Sequence, residues 1–95
     1  MYNISLHHKV QSKPHIISRK EKNCYLLVNR ENGIVLVLND LGMEIWNCLS
    51  DKVTIEDVVK KFAEKYNAEL EVVSEEILNF IKKLLENGFL NCYSQ

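Results

Sequence analysis

Ile34-Val35-Leu36-Val37-Leu38-Asn39-Asp40-Leu41-Gly42-Met43-Glu44-Ile45-Trp46 reads as a short apolar strand that turns through a polar corner into a helix carrying Trp46. Upstream, Cys24-Tyr25-Leu26-Leu27-Val28-Asn29 is a second β-rich run, and Arg30-Glu31-Asn32-Gly33 separates the two. Asn-Gly between such runs is a strong hairpin signal, because both residues accept positive φ. Both strands are apolar on both faces, where a half-solvated antiparallel sheet alternates with polar residues. Something therefore covers the second face or binds there. Val35 and Val37 share one face and Ile34, Leu36 and Leu38 the other, so one set fills the core while the other meets a ligand. The sequence leaves open which does which.

Downstream, Asn39 or Asp40 can cap a helix with Leu41, Ile45 and Leu49 spaced four apart, and Ser50-Asp51-Lys52 ends it. Thr54 caps a second helix, with Asp57 completing a shortened capping box and Glu56 favourable near the positive end of the dipole. Ile55, Val58, Val59, Phe62, Ala63 and Tyr66 form one core stripe along it. A third helix starts between Glu71 and Ser74 and runs to Asn87, with Gly88 placed as the left-handed residue that closes it. Its main stripe is Val73, Ile77, Phe80, Ile81 and Leu84. Leu78 and Leu85 lie about 80 to 100° round from Ile77 and widen the apolar surface toward one flank. Phe89 to Tyr93 forms either a last short strand or a tail packed on the core.

Residues 1–13 show no sustained period and hold His7, His8, Lys9, Gln11, Ser12 and Lys13, which predicts a flexible N-terminal arm ending at Pro14. Pro14 suits the entry to an edge strand, His15 to Arg19. The expected architecture is α+β: a three-stranded antiparallel sheet followed by a three-helix bundle, in one domain over residues 14–95.

With 95 residues, the chain holds a single core, since domains usually run to about 100 to 150 residues. Hydrophobic residues make up 46% and charged ones 26%, too apolar a balance for a disordered chain. The net charge of −1 hides an asymmetry: residues 1–30 carry six cations against Glu21 alone, so that stretch is +5 and the remainder −6. An acidic helical body argues against helices lying along phosphates. Cys24, Cys48 and Cys92 lack any C-x-x-C pair, so neither a disulfide framework nor a structural zinc site is indicated. There is no signal-peptide pattern and no apolar run near 18 residues, which places the chain in the cytoplasm.

No catalytic constellation is present: no Gly-x-Ser-x-Gly, no His-Glu-x-x-His, and no phosphate-binding glycine loop. The histidines lack partners at metal-ligand spacing, so no metal or cofactor is expected. Trp46 reads as core. Leu78 and Leu85 fit a groove lining as well as they fit the other two readings together, a wide core stripe or a homodimer seam. Function must reside in a surface.

The ordered pattern Leu38-Asn39-x-x-Gly42-x-x-Ile45-Trp46-x-x-Leu49, Thr54-x-x-Asp57-Val58-Val59, Tyr66, then Glu76-Ile77-x-x-Phe80-Ile81-x-x-Leu84-x-x-x-Gly88, following an Asn-Gly hairpin, resembles the coenzyme PQQ synthesis protein D (PqqD) family over residues 14–90. The family often has Asp where this chain has Glu76, and the residues before Pro14 match nothing in it. The resemblance implies a winged helix-turn-helix-like, non-catalytic recognition element. Such a domain captures the leader of a ribosomally made precursor peptide and presents it to a modifying enzyme, in many pathways a radical S-adenosylmethionine enzyme. It further implies that the leader adds a strand to Ile34, Val35, Leu36, Val37 and Leu38, in a groove bounded by the third helix.

An exposed strand edge offers N–H and C=O groups to any extended peptide, while pockets for alternate side chains supply specificity. On the third helix Leu78, Lys82 and Leu85 share one flank, expected to give an apolar floor with a cation for an acidic leader residue. Burying two leucine-sized leader side chains contributes about 3 to 6 kcal/mol before ordering costs, consistent with micromolar to submicromolar capture. The rival with the same architecture is a winged-helix DNA-binding regulator. Its third helix would carry Glu75, Glu76 and Glu86 against Lys82 and Lys83, with no Arg or Gln to read bases. An exposed edge can also pair with a second copy, so a homodimer stays open.

Overall fold

The strand, corner and helix of the opening stretch fold as read. The computed structural model describes residues 4–93, and among them β4 (Val35–Leu38) runs directly into α1 (Asp40–Asn47). Asn39 is the cap, its side-chain oxygen accepting the Gly42 amide at 2.8 Å. Before them come β1 (Lys9–Ser12), β2 (Ile16–Lys20) and β3 (Tyr25–Asn29). After them come β5 (Val53–Thr54), α2 (Ile55–Lys65), α3 (Leu70–Glu86) and β6 (Leu90–Tyr93). Thr54 caps α2 by accepting the Asp57 amide at 3.2 Å. α3 starts at Leu70, a residue earlier than its sequence signals suggested, and Gly88 closes it at φ 81°.

β2, β3 and β4 form an antiparallel sheet in that order, with Leu27 opposite Leu36 and Tyr25 opposite Leu38. The β3–β4 connection is not the tight two-residue turn that Asn-Gly suggested. Gly33 has φ 79°, whereas Asn32 is not among the residues with positive φ. Instead Asn29 organises a longer loop over residues 30–34. Its Oδ1 accepts from the amides of Glu31 at 2.9 Å and Asn32 at 3.4 Å, and its carbonyl accepts from Gly33 at 2.8 Å. This is an Asx-type turn, in which a side chain stands in for a backbone acceptor.

The expected flexible arm is the main departure. Lys9–Ser12 is the central strand of a second sheet, ordered β5-β1-β6, and Val10 is fully buried in the main core. The reason is non-local. Val10 is the only apolar side chain in this strand, so no alternation reveals it, and its partners lie at residues 53–54 and 90–93. The three-stranded sheet expected from the sequence is thus one of two, and of the two readings of Phe89 to Tyr93 the strand is the one that forms, over Leu90–Tyr93.

The core joins Leu27, Leu36 and Leu38 of the first sheet to Trp46, Phe62 and the main stripe of α3. Trp46 is buried and meets Phe89 edge to face, with ring centroids 6.4 Å apart. Tyr66 leaves the core stripe in which its spacing placed it. Sitting at the C-terminal cap of α2, it stacks on Phe62 but stays half exposed and donates its hydroxyl to Glu44.

Candidate functional site

β4 pairs with β3 alone, and among the described residues no strand lies against its other side. The register says which groups face outward. Asn29 donates its amide to the Ile34 carbonyl at 2.9 Å, so Ile34 turns its backbone toward β3. By antiparallel alternation Leu36 and Leu38 do the same, and the N–H and C=O of Val35 and Val37 point away from the sheet. Their side chains are exposed as well, by 49% and 63%, while Leu36 and Leu38 are buried. This resolves the face that the sequence left open: leucines inward, valines outward.

Beside the Leu38 end of this edge lies a depression of about 440 Å³. Val37, Leu38 and Asn39 form one side, Gly42 the first turn of α1, and Phe80 and Lys83 the wall on α3; Asn23 and Cys24 close it from the β2–β3 turn. A Cβ on Gly42 would meet Asn39 Oδ1 at 3.2 Å and Leu38 Cβ at 3.3 Å, so the absence of a side chain lets α1 start this close to β4. The depression is open, with an apolar floor and a cation at its rim.

The helix flank is the opposite of the one proposed from sequence. Leu85 is 3% exposed and belongs to the core, and Leu78 is half-buried against that core. Lys82 is exposed but does not line the depression. Phe80 and Lys83 lie about 60° and 120° round from Ile77 in the other sense. A helical wheel shows that a stripe is wide; only the placement of α3 against the sheet decides which shoulder meets the strand edge.

Two asparagines tie the end of α3 to the first sheet. Asn29 is fully buried, and its Nδ2 donates to the Gly88 carbonyl at 2.8 Å and the Asn87 carbonyl at 3.3 Å. Asn32 Nδ2 donates to the same Asn87 carbonyl at 3.0 Å. The carbonyls just past the end of α3 are thereby held by Asn29 and Asn32, while those of its last turn accept from the amides of Asn87, Gly88 and Phe89. A Cβ on Gly88 would lie 3.0 Å from both amide nitrogens, so this position needs glycine for space as well as for φ. One cheap signal was present in the sequence: Asn at a strand end, two residues before a turn, is a common Asx-turn former.

The family model for coenzyme PQQ synthesis protein D matches residues 24–90, most of the chain. The chain belongs to the PqqD family. The match takes in β3, β4 and all three helices, so every residue lining the depression except Asn23 falls within the PqqD region, while β1 and β2 precede it. Among solved structures, one titled "TbiB1 in Complex with the TbiA(beta) Leader Peptide" has the same fold, with a TM-score of 0.75 and 19% identity, covering 90% of this chain and 99% of that one. No curated protein matches. The fold of this PqqD-family chain is α+β with antiparallel sheets and three helices, and none of the helices described is long and apolar enough to cross a membrane.

Proposed function

We propose that this PqqD-family chain is a non-catalytic peptide-binding module of the cytoplasm. It captures the leader of a ribosomally made precursor by adding it as a strand to the outer edge of β4, and holds it for a modifying enzyme of the same pathway, of the radical S-adenosylmethionine type. The observation that carries this reading is the pair of outward-turned backbones at Val35 and Val37 beside the wall of Phe80 and Lys83. A leader strand satisfies those groups whatever its side chains, and the depression then selects among leaders. The likeness to TbiB1, whose structure was solved with a leader peptide, supports the same use of the fold here.

The binding residues in this proposal are Ile34 to Leu38 for the strand, through the backbones of Val35 and Val37, with Phe80 and Lys83 replacing Leu78, Lys82 and Leu85 as the helical wall. Lys83 offers its charge to an acidic leader residue. We describe β3, β4 and the three helices as a winged-helix-like arrangement, but the DNA-binding alternative gains nothing from the structure. The exposed surface of α3 presents Glu71, Glu75, Glu76 and Glu86 against Lys82 and Lys83, a net acidic surface that phosphates avoid.

Titration of the labelled chain with the leader of a short precursor encoded beside it tests the proposal. Amide resonances of residues 34–38 and of Phe80 and Lys83 are expected to shift. Shifts confined to β2 or to the β5-β1-β6 sheet would contradict it.

A further inference from the structure

Among the described residues seven large hydrophobic side chains are exposed, and all of them fall in two patches on opposite layers of the fold. The first is the outer face of the β2-β3-β4 sheet. Its register sets Ile17, Val28 and Val35 side by side in one row and Arg19, Leu26 and Val37 in the next. Leu27 and Leu36, on the other face, are buried in the core with the helices, so these two rows look away from it. Ile17, Val35 and Val37 are exposed, and Leu26 and Val28 half-buried. An antiparallel sheet with one solvated face usually carries polar side chains there. Around this face the charge is positive: Arg19, Lys20, Lys22 and Arg30 are exposed, against Glu21 and Glu31.

The second patch is on the helical side, where α2 ends and α3 begins. Leu41, Tyr66 and Val72 border a depression with Ala68, and Leu70 borders a neighbouring one with the same Ala68, so the four gather round one small residue. α3 starts without a side-chain cap, and Leu70 and Val72 stand exposed in its first turn, where a solvated helix start favours polar residues. Glu64, Glu69, Glu71, Glu75 and Glu76 are exposed along the same stretch. Lys65, beside the Tyr66 ring, is paired with Glu44, and Lys60 lies near Leu70. This rim is acidic.

We propose that these two patches dock on each other between copies of the chain, the basic sheet face of one against the acidic helical corner of the next, in a head-to-tail contact. Both are apolar at the centre, and their rims are opposite in sign, as the split of the sequence into +5 over residues 1–30 and −6 beyond them requires. Sheet face on sheet face, or corner on corner, would set like charges together and lose affinity. The surface that complements each patch is therefore the other one, on a second copy. A contact between two different surfaces does not close at a dimer, and it adds copies until a ring forms or the concentration limits it. With so few apolar side chains on each side, it belongs to the small, transient interfaces of less than about 1,200 Å². The proposal goes beyond leader capture and does not depend on it, since a strand added at β4 lies in the plane of the sheet and leaves its outer face uncovered.

Analytical ultracentrifugation of the full chain is the test. In about 50 mM salt the weight-average mass should climb from one chain toward two and beyond as the concentration rises from about 10 μM to 1 mM, and association should weaken several-fold at about 500 mM salt, where exposed rim charges are screened. Ile17→Glu spoils the sheet face and Leu70→Lys the corner. Both sites are exposed, so each variant should melt within about a few degrees of the wild type, yet associate about tenfold more weakly when alone. Arg19→Glu and Glu71→Lys keep the apolar side chains and reverse one rim charge each; they should act as the first pair does, by a smaller factor, and they replace a variant that fails to fold. Mixed one to one, the Ile17→Glu and Leu70→Lys chains still hold one intact patch of each kind, and should form a dimer that grows no further. A wild-type chain that stays monomeric at about 1 mM in low salt would overturn the proposal and leave both patches to other proteins. A variant that associates as the wild type does, a variant that dimerises on its own through a like-on-like contact, or a mixture that stays monomeric would each overturn it as well.

Discussion

Asn29 and Gly88, 59 positions apart in the chain, are joined by a 2.8 Å hydrogen bond from a fully buried side chain to a carbonyl just past the end of α3. The bond couples the residue that starts the β3–β4 loop to the residue that closes α3. Asn29→Ala leaves the Gly88 carbonyl and the Glu31 amide without these partners, at about 1 to 3 kcal/mol each if they remain buried. We expect a loss of about 2 to 4 kcal/mol in urea unfolding. Asn29→Asp keeps the acceptor but not the donor, and should fall between.

The edge and the inward groups of β4 separate under proline substitution. Val37→Pro removes an N–H that β3 does not use, so the chain should stay folded by circular dichroism while peptide affinity falls about tenfold or more. Leu36→Pro removes a ladder bond and a core side chain, and should cost about 3 kcal/mol or more. Equal effects of the two on folding would mean that the register of β4 differs from the one described.

Leu85 tests the helix phase. Because it is buried, Leu85→Glu should destabilise by about 3 to 5 kcal/mol, through lost packing and a carboxylate without a partner. Lys82→Glu, on the exposed surface, should change stability by no more than about 0.5 kcal/mol and leave peptide binding intact. Lys83→Glu should be equally benign for folding yet weaken binding of peptides that place an acid at the groove.

Removal of residues 1–12 tests whether β1 is structural. The deletion leaves β5 and β6 without their shared partner and opens the core at Val10, so the cooperative thermal transition should be lost or lowered by many degrees. Loss of an arm would leave the midpoint unchanged.

What was legible in the sequence follows from what is local. The caps at Asn39 and Thr54, the stripes of α2 and α3, the closing Gly88 and the β3–β4 hairpin are each written within a few residues, and each formed. Three features were not legible, for one reason: each is decided by residues far apart. Val10 becomes a core residue only through partners at 53–54 and 90–93. Tyr66 has core spacing but falls at a helix end where the core has run out. The wall of the groove passed from Leu85 to Phe80 because α3 packs with Leu85 turned into the core, an orientation decided by tertiary partners and not by the helix's own pattern. For the candidate site, the strand was legible and its helical partner was not.

Hydrogen exchange at four adjacent amides tests the central claim most directly. In the free chain, Leu36 and Leu38 should be protected by β3 while Val35 and Val37 exchange freely. On saturation with a bound leader, Val35 and Val37 should slow markedly and Leu36 and Leu38 change little. Binding that leaves Val35 and Val37 exchanging as before would show that the peptide is held elsewhere, and strand addition at β4 would be wrong.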